Sequence, residues 1–147
     1  MGVAAGEPAR LGSVIDARDR NLRPWVAAVA DLLVLVVFVA VGRRSHQEDA
    51  GLAGFLRVWW PFVVGLAVAW LATGLHRAPL AWGRAVAAWL VTVGVGMAVR
   101  IVAEDREFKV AFTIVTLLFV GAGMLGWRAV VRAVQARKAR RPLHSSG

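Results

Sequence analysis

Apolar positions in this chain come in blocks rather than in alternation. Four charge-poor runs stand out: residues 25–42, broken only by Asp31; 58–75, with no charge; 85–103, interrupted by Arg100; and 110–127, with no charge. At ~1.5 Å per residue, a run of 18 residues covers ~27 Å as a helix, close to the ~30 Å of a bilayer's hydrocarbon core. Runs such as Leu32-Leu33-Val34-Leu35-Val36-Val37-Phe38-Val39 lack the strict alternation of a membrane barrel. In lipid each backbone polar group must be satisfied within its own segment, so the blocks are expected to be helical despite their many valines. The predicted fold is an all-α integral membrane bundle of four transmembrane helices.

Punctuation supports these limits. Pro24 and Trp25 open the first block and Gly42 closes it; Trp59, Trp60 and Pro61 open the second, and Gly74 and His76 stand at its exit. Trp82 precedes the third, and Trp127 and Arg128 end the fourth. Indoles at block ends fit the headgroup level of a bilayer. The expected organisation is a polar N-terminal tail (1–24), a transmembrane domain (25–131) and a basic C-terminal tail (132–147). Ala40-Val41-Gly42 offers a small-x-small cleavage site, but the block is longer than the usual ~7–15-residue signal core and carries Asp31, so an uncleaved span is expected.

Composition and charge then narrow the function classes. Of 147 residues 59% are hydrophobic, more than a soluble chain of this size can hide. With no cysteine, a disulfide framework, thiolate metal sites and dithiol redox chemistry are excluded. No metal site or other cofactor and no catalytic constellation can be read, so a non-enzyme is expected. The 18 Lys and Arg against 9 acids leave a net charge of +9. Twelve of these basic residues lie on the side of the two tails and the 76–84 loop, six on the other, which predicts both termini in the cytoplasm and a plasma-membrane location. Arg132, Arg137, Lys138, Arg140 and Arg141 read as a tail on anionic lipid headgroups, or as a topology signal alone. No nucleic-acid footprint accompanies them.

Polar residues within the blocks are the candidates for function. A charged Asp at midspan costs ~2.5–3.5 kcal/mol on insertion scales, so Asp31 is expected to face the bundle interior. It can serve a proton- or cation-coupled transporter, or simply bond a neighbouring helix. Arg100 lies ~24 Å beyond Arg84 along the third helix, too near the opposite face for a direct bridge to Asp31. Arg84, Arg128, Thr73 and Thr92 are at better depths, and the stem of Arg128 can either snorkel outward or bend inward. At the outer face Arg43, Arg44, His46 and Arg100 form a candidate anion cluster, in competition with the acids of the same loops. Gly65, Ala69, Ala72 and His76 share one side of a helix. Together with the pairs Thr92/Gly96 and Ala122/Gly126 they are expected to be packing faces for helices of this chain, a second copy or another membrane protein.

Several of these pieces combine into a family pattern. Asp31 is followed by Phe38-Val39-Ala40-Val41-Gly42-Arg43-Arg44-Ser45-His46, then by Pro61-Phe62 and Trp70. The run Thr92-Val93-Gly94-Val95-Gly96-Met97-Ala98-Val99-Arg100, Phe112 and Gly126-Trp127-Arg128 complete the set. Over about residues 29–131 the chain resembles the small four-span membrane proteins of actinobacteria and archaea known as domain of unknown function 3054. The loop Glu104-Asp105-Arg106-Glu107 falls outside the pattern. The resemblance implies the architecture and no activity, substrate or cofactor. Two functions are therefore carried forward: a non-catalytic accessory or lipid-interacting membrane subunit, and a small transporter or channel using Asp31.

Overall fold

A computed structural model describes residues 22–43, 51–105 and 107–139. Four helices carry almost all of them: α1 (Pro24–Arg43), α2 (Leu52–Thr73), α3 (Trp82–Glu104) and α4 (Val110–Ala139), with a short 3-10 turn, Leu75–Arg77, between α2 and α3. There is no strand among the described residues. All four helices are long and apolar enough to cross a membrane, so the sequence-based fold holds.

The helix limits differ from the apolar blocks, and for one reason. Charge ends an apolar block, but it does not end a helix. Thus α2 starts at Leu52 and includes Arg57, which places Pro61 inside the helix rather than at its opening. Similarly α4 runs on through Arg128 and Arg132 to Ala139, because Ala, Gln, Arg and Lys are good helix formers. The basic segment expected as a tail from residue 132 therefore begins inside α4. True stops need backbone chemistry. Gly74 ends α2 in the left-handed conformation (φ 64°), where its N–H reaches back to Leu71 O.

Each helix turns one stripe inward. Leu35, Phe38 and Val39 of α1 meet Phe62, Leu66 and Ala69 of α2, Val93 and Met97 of α3, and Val120 and Met124 of α4. Phe38 stands edge-on to Phe62 at 5.6 Å between ring centres, in the arrangement aromatic quadrupoles favour. The opposite faces carry exposed Leu33, Val37, Leu71, Leu90, Leu118 and Val130. In water such faces would be a liability; in lipid they are the required solvent surface.

Small residues set the helix spacing at distinct seams. A side chain at Gly65 would strike the backbone of Thr92 and Gly96, so α2 and α3 touch main chain to main chain there. The Thr92/Gly96 pair is thus a packing face, as expected. Gly121 accommodates the Trp89 indole, and Gly123 accommodates Val34. The Ala122/Gly126 pair points elsewhere: Ala122 is exposed, and nothing lies within 4 Å of where a Gly126 Cβ would stand. His76 also leaves its expected stripe, because α2 has ended before it is reached.

Candidate functional site

Asp31 and Arg128 meet at the centre of the site. α1 places Asp31 seven residues into the helix, ~10 Å along its axis. α4 runs antiparallel and brings Arg128 to the same depth. Both side chains are completely buried. Arg128 Nη1 donates to Asp31 Oδ1 and Nη2 to Oδ2, each at 2.7 Å, in the two-pronged geometry that a planar guanidinium and a carboxylate share. The arginine stem bends inward rather than snorkelling.

Two indoles complete the acid's shell. Trp70 Nε1 donates to Oδ2 at 3.0 Å and Trp127 Nε1 to Oδ1 at 2.9 Å. An ionised carboxylate offers about four lone-pair sites; each oxygen of Asp31 here accepts two N–H donors. Four of the five guanidinium N–H groups are engaged: besides the two on Asp31, Nε donates to Pro79 O at 2.9 Å and Nη1 also to Met124 O at 2.7 Å, and the guanidinium carbon lies 4.3 Å from the centre of the Trp127 ring. Opposite charges, cation–π contact and aligned carbonyls all compensate the removal of both ions from water.

The arginines also hold the connection between α2 and α3. Arg128 bonds Pro79 O, Arg132 Nη1 bonds Leu80 O at 2.7 Å and Arg84 Nη1 bonds Gly74 O at 2.9 Å. Leu75, Ala78 and Leu80 are buried. Bonded to both Arg128 and Arg132, this non-helical segment lies between the level of Asp31 and the start of α1. Irregular backbone at such depth is stable only where the protein itself covers it and satisfies its carbonyls. The three arginines and the buried leucines do both.

The other sequence candidates are placed apart from this centre. Thr92 is fully buried at the α2–α3 seam and its hydroxyl has no hydrogen-bond partner among the described residues. Arg100 is half-buried at the far end of α3, 4.4 Å over the Phe112 ring, so no Asp31–Arg100 bridge forms. Of the proposed outer anion cluster, Arg43 Nη1 donates to Gly51 O at 2.9 Å, while Arg44 and His46 lie outside the described residues. Of the tail residues, Arg137 and Lys138 are exposed, Arg132 is bonded to the interhelical connection, and Arg140 and Arg141 lie outside the described residues.

Sequence reasoning missed four participants. Trp127 reads as an interfacial anchor, yet its indole N–H points to Asp31; the adjacent Arg128, itself pulled inward, was the available signal. Trp70 is three residues from the end of α2, and its position in the family pattern was the only hint. The carbonyls of Pro79 and Met124 leave no mark in a sequence.

The described residues thus define a multi-pass membrane protein whose first and last helices are joined by a buried ion pair. The chain belongs to the family described as proteins of unknown function, DUF3054, which it matches over residues 28–131. That match spans Asp31, Trp70, Trp127 and Arg128 alike. No curated protein and no solved structure matches the chain.

Proposed function

We propose that this protein is a non-catalytic accessory or lipid-interacting membrane subunit in which Asp31 is structural. The observation that carries this reading is the saturation of the Asp31 carboxylate. A transporting acid must exchange its partner for a proton or cation during each cycle, and needs an open acceptor site and a path to it. Asp31 has two N–H donors on each oxygen and no exposed surface. Its charge is already balanced by Arg128.

In the proposed orientation both termini face the cytoplasm, across the plasma membrane. Once Arg128 is counted as Asp31's partner rather than as a surface charge, eleven basic residues remain on the tail side against six on the other. Partners on this reading are anionic lipid headgroups at the cytoplasmic face and a second copy or another membrane protein along the helix faces; neither nucleic acid nor a reaction is involved.

The test removes the ionisable pair and leaves apolar side chains in its place. In a deletion strain carrying Asp31→Leu/Arg128→Leu, complementation should follow the amount of folded protein in the membrane. Normal abundance with lost complementation would overturn the structural role and put transport through Asp31 in its place. Orientation is read separately, by single cysteines at Ser13, Ser45 and Ser146 in this cysteine-free chain. Impermeant reagent should label only the Ser45 position in intact cells; labelling at Ser146 would reverse the assignment.

A further inference from the structure

A groove of about 440 Å³ runs along the lipid-facing side of the α3–α4 seam. Trp82 and Trp89 form one wall, and Leu117, Ala122, Gly126 and Ala129 belong to the other. The α4 positions along it span twelve residues, ~18 Å, against ~15 Å for the hydrocarbon of one leaflet. The groove is therefore apolar and about as long as one leaflet is thick, a length that suits a single acyl chain.

One end of the groove is marked by charge. Arg132 continues the same face of α4 one turn beyond Ala129. Its bond to Leu80 O fixes the guanidinium beside the start of α3, where Trp82 begins the groove. Apart from the neutral Asp31–Arg128 pair, the charged residues described at this end of the bundle are cations: Arg23, Arg77, Arg84, Arg132, Arg137 and Lys138. Asp105 and Glu107 lie at the opposite end, and the N-terminal acids Glu7, Asp16 and Asp19 lie outside the described residues.

We infer that this groove binds one anionic glycerophospholipid, with an acyl chain against Trp82 and Trp89 and its phosphate at Arg132. The inference rests on the lipid-interacting reading above and gives it a site and a ligand class. A chain anchored at one end by phosphate fits the charge at the rim, and the small residues of α4 make the room. Gly126 has room for a side chain: among the described residues nothing lies within 4 Å of where its Cβ would stand, so a larger residue there enters the groove.

The experiment is native mass spectrometry of the full-length protein, delipidated in detergent and offered equal amounts of dioleoyl phosphatidylglycerol and dioleoyl phosphatidylcholine. The expected result is one retained phosphatidylglycerol, preferred by about five- to tenfold, the factor that one basic contact near a membrane surface supplies. Gly126→Leu should lose the adduct with an unchanged melting temperature; Ala129→Leu repeats the test if that variant folds poorly. Arg132→Gln should keep an adduct but bind both lipids equally. Equal retention of the two lipids by the native protein, or undiminished phosphatidylglycerol binding in both groove-filling variants, would overturn the site. Either result leaves the structural role of Asp31 standing, because complementation by the charge-free pair tests that alone.

Discussion

Two of this bundle's seams differ in what specifies them: α2–α3 relies on main-chain contact at a glycine, whereas α1–α4 adds an ion pair to its own glycine contact, Gly123 against Val34. α2 and α3 are neighbours in sequence and pack through absence of side chain: Gly65 lets the backbones of Thr92 and Gly96 come close. α1 and α4 are separated by the rest of the chain and pack around full charges, Asp31 and Arg128. Lipid supplies no hydrophobic drive between helices, so association must come from close packing or from polar bonds. A short hairpin already brings its two helices together, and shape complementarity suffices to seat them. Helices from the two ends of the chain have many apolar faces to choose from. A bidentate ion pair with two indole donors distinguishes one register from the rest, as buried polar groups do in coiled coils.

The strongest challenge to this contrast is to break the charged seam at one residue. Asp31→Leu or Arg128→Leu alone leaves an uncompensated buried ion and should cost about 3–5 kcal/mol, measured by denaturant or thermal unfolding in mild detergent. Asp31→Leu/Arg128→Leu together should recover part of that loss, since no ion stays buried while the Trp70 and Trp127 N–H groups and Pro79 O lose their partner. Failure of the double variant to recover would mean that the pair contributes more than the compensation of its own burial.

Next comes the apolar seam. Gly65→Val places a branched side chain against backbone atoms that cannot rotate aside, with an expected cost of about 1–3 kcal/mol. Gly96→Ala should be milder because it adds one methyl, set against the buried Phe62 ring at 2.5 Å and the Phe62 Cα at 3.2 Å rather than against the facing carbonyl. Equal costs at the two glycines would show that the α2–α3 contact is not main chain on main chain.

Smaller effects separate the shell from the pair. Trp70→Phe and Trp127→Phe each remove one interhelical donor to the carboxylate and should cost about 0.6–1.7 kcal/mol, with Trp127→Phe the larger because it also faces the guanidinium. Last, Arg137→Gln and Lys138→Gln are solvent-side changes and should stay within about 0.5 kcal/mol. A larger loss there would mean that the end of α4 packs on other parts of the chain.

The sequence made the architecture legible because a bilayer writes it in long apolar runs. Four spans, the inward-facing Asp31 and the exclusion of Arg100 by depth all follow from block lengths and helical rise. Helix ends were less legible, since Arg57 and Arg128 interrupt hydrophobicity without interrupting hydrogen bonding. Trp127 shows the limit most directly. An indole beside a block end reads as an interfacial anchor, and only the shared depth of Asp31 and Arg128 turns it inward. Arg132 shows the same limit one turn later, because a cation past an apolar run looks like tail until its carbonyl partner is known.

The separation of the ion pair also has a temporal meaning. Asp31 and Arg128 are 97 residues apart, so α1 is synthesised and handed to the membrane before its counter-ion exists. Trp70 emerges next and offers the acid a first donor, but its charge stays unbalanced until the last helix arrives. A ribosome product that stops short of α4 therefore carries an exposed intramembrane acid, whereas a finished one carries none. The same bond that fixes the register thus distinguishes a chain that has reached α4 from one that has not.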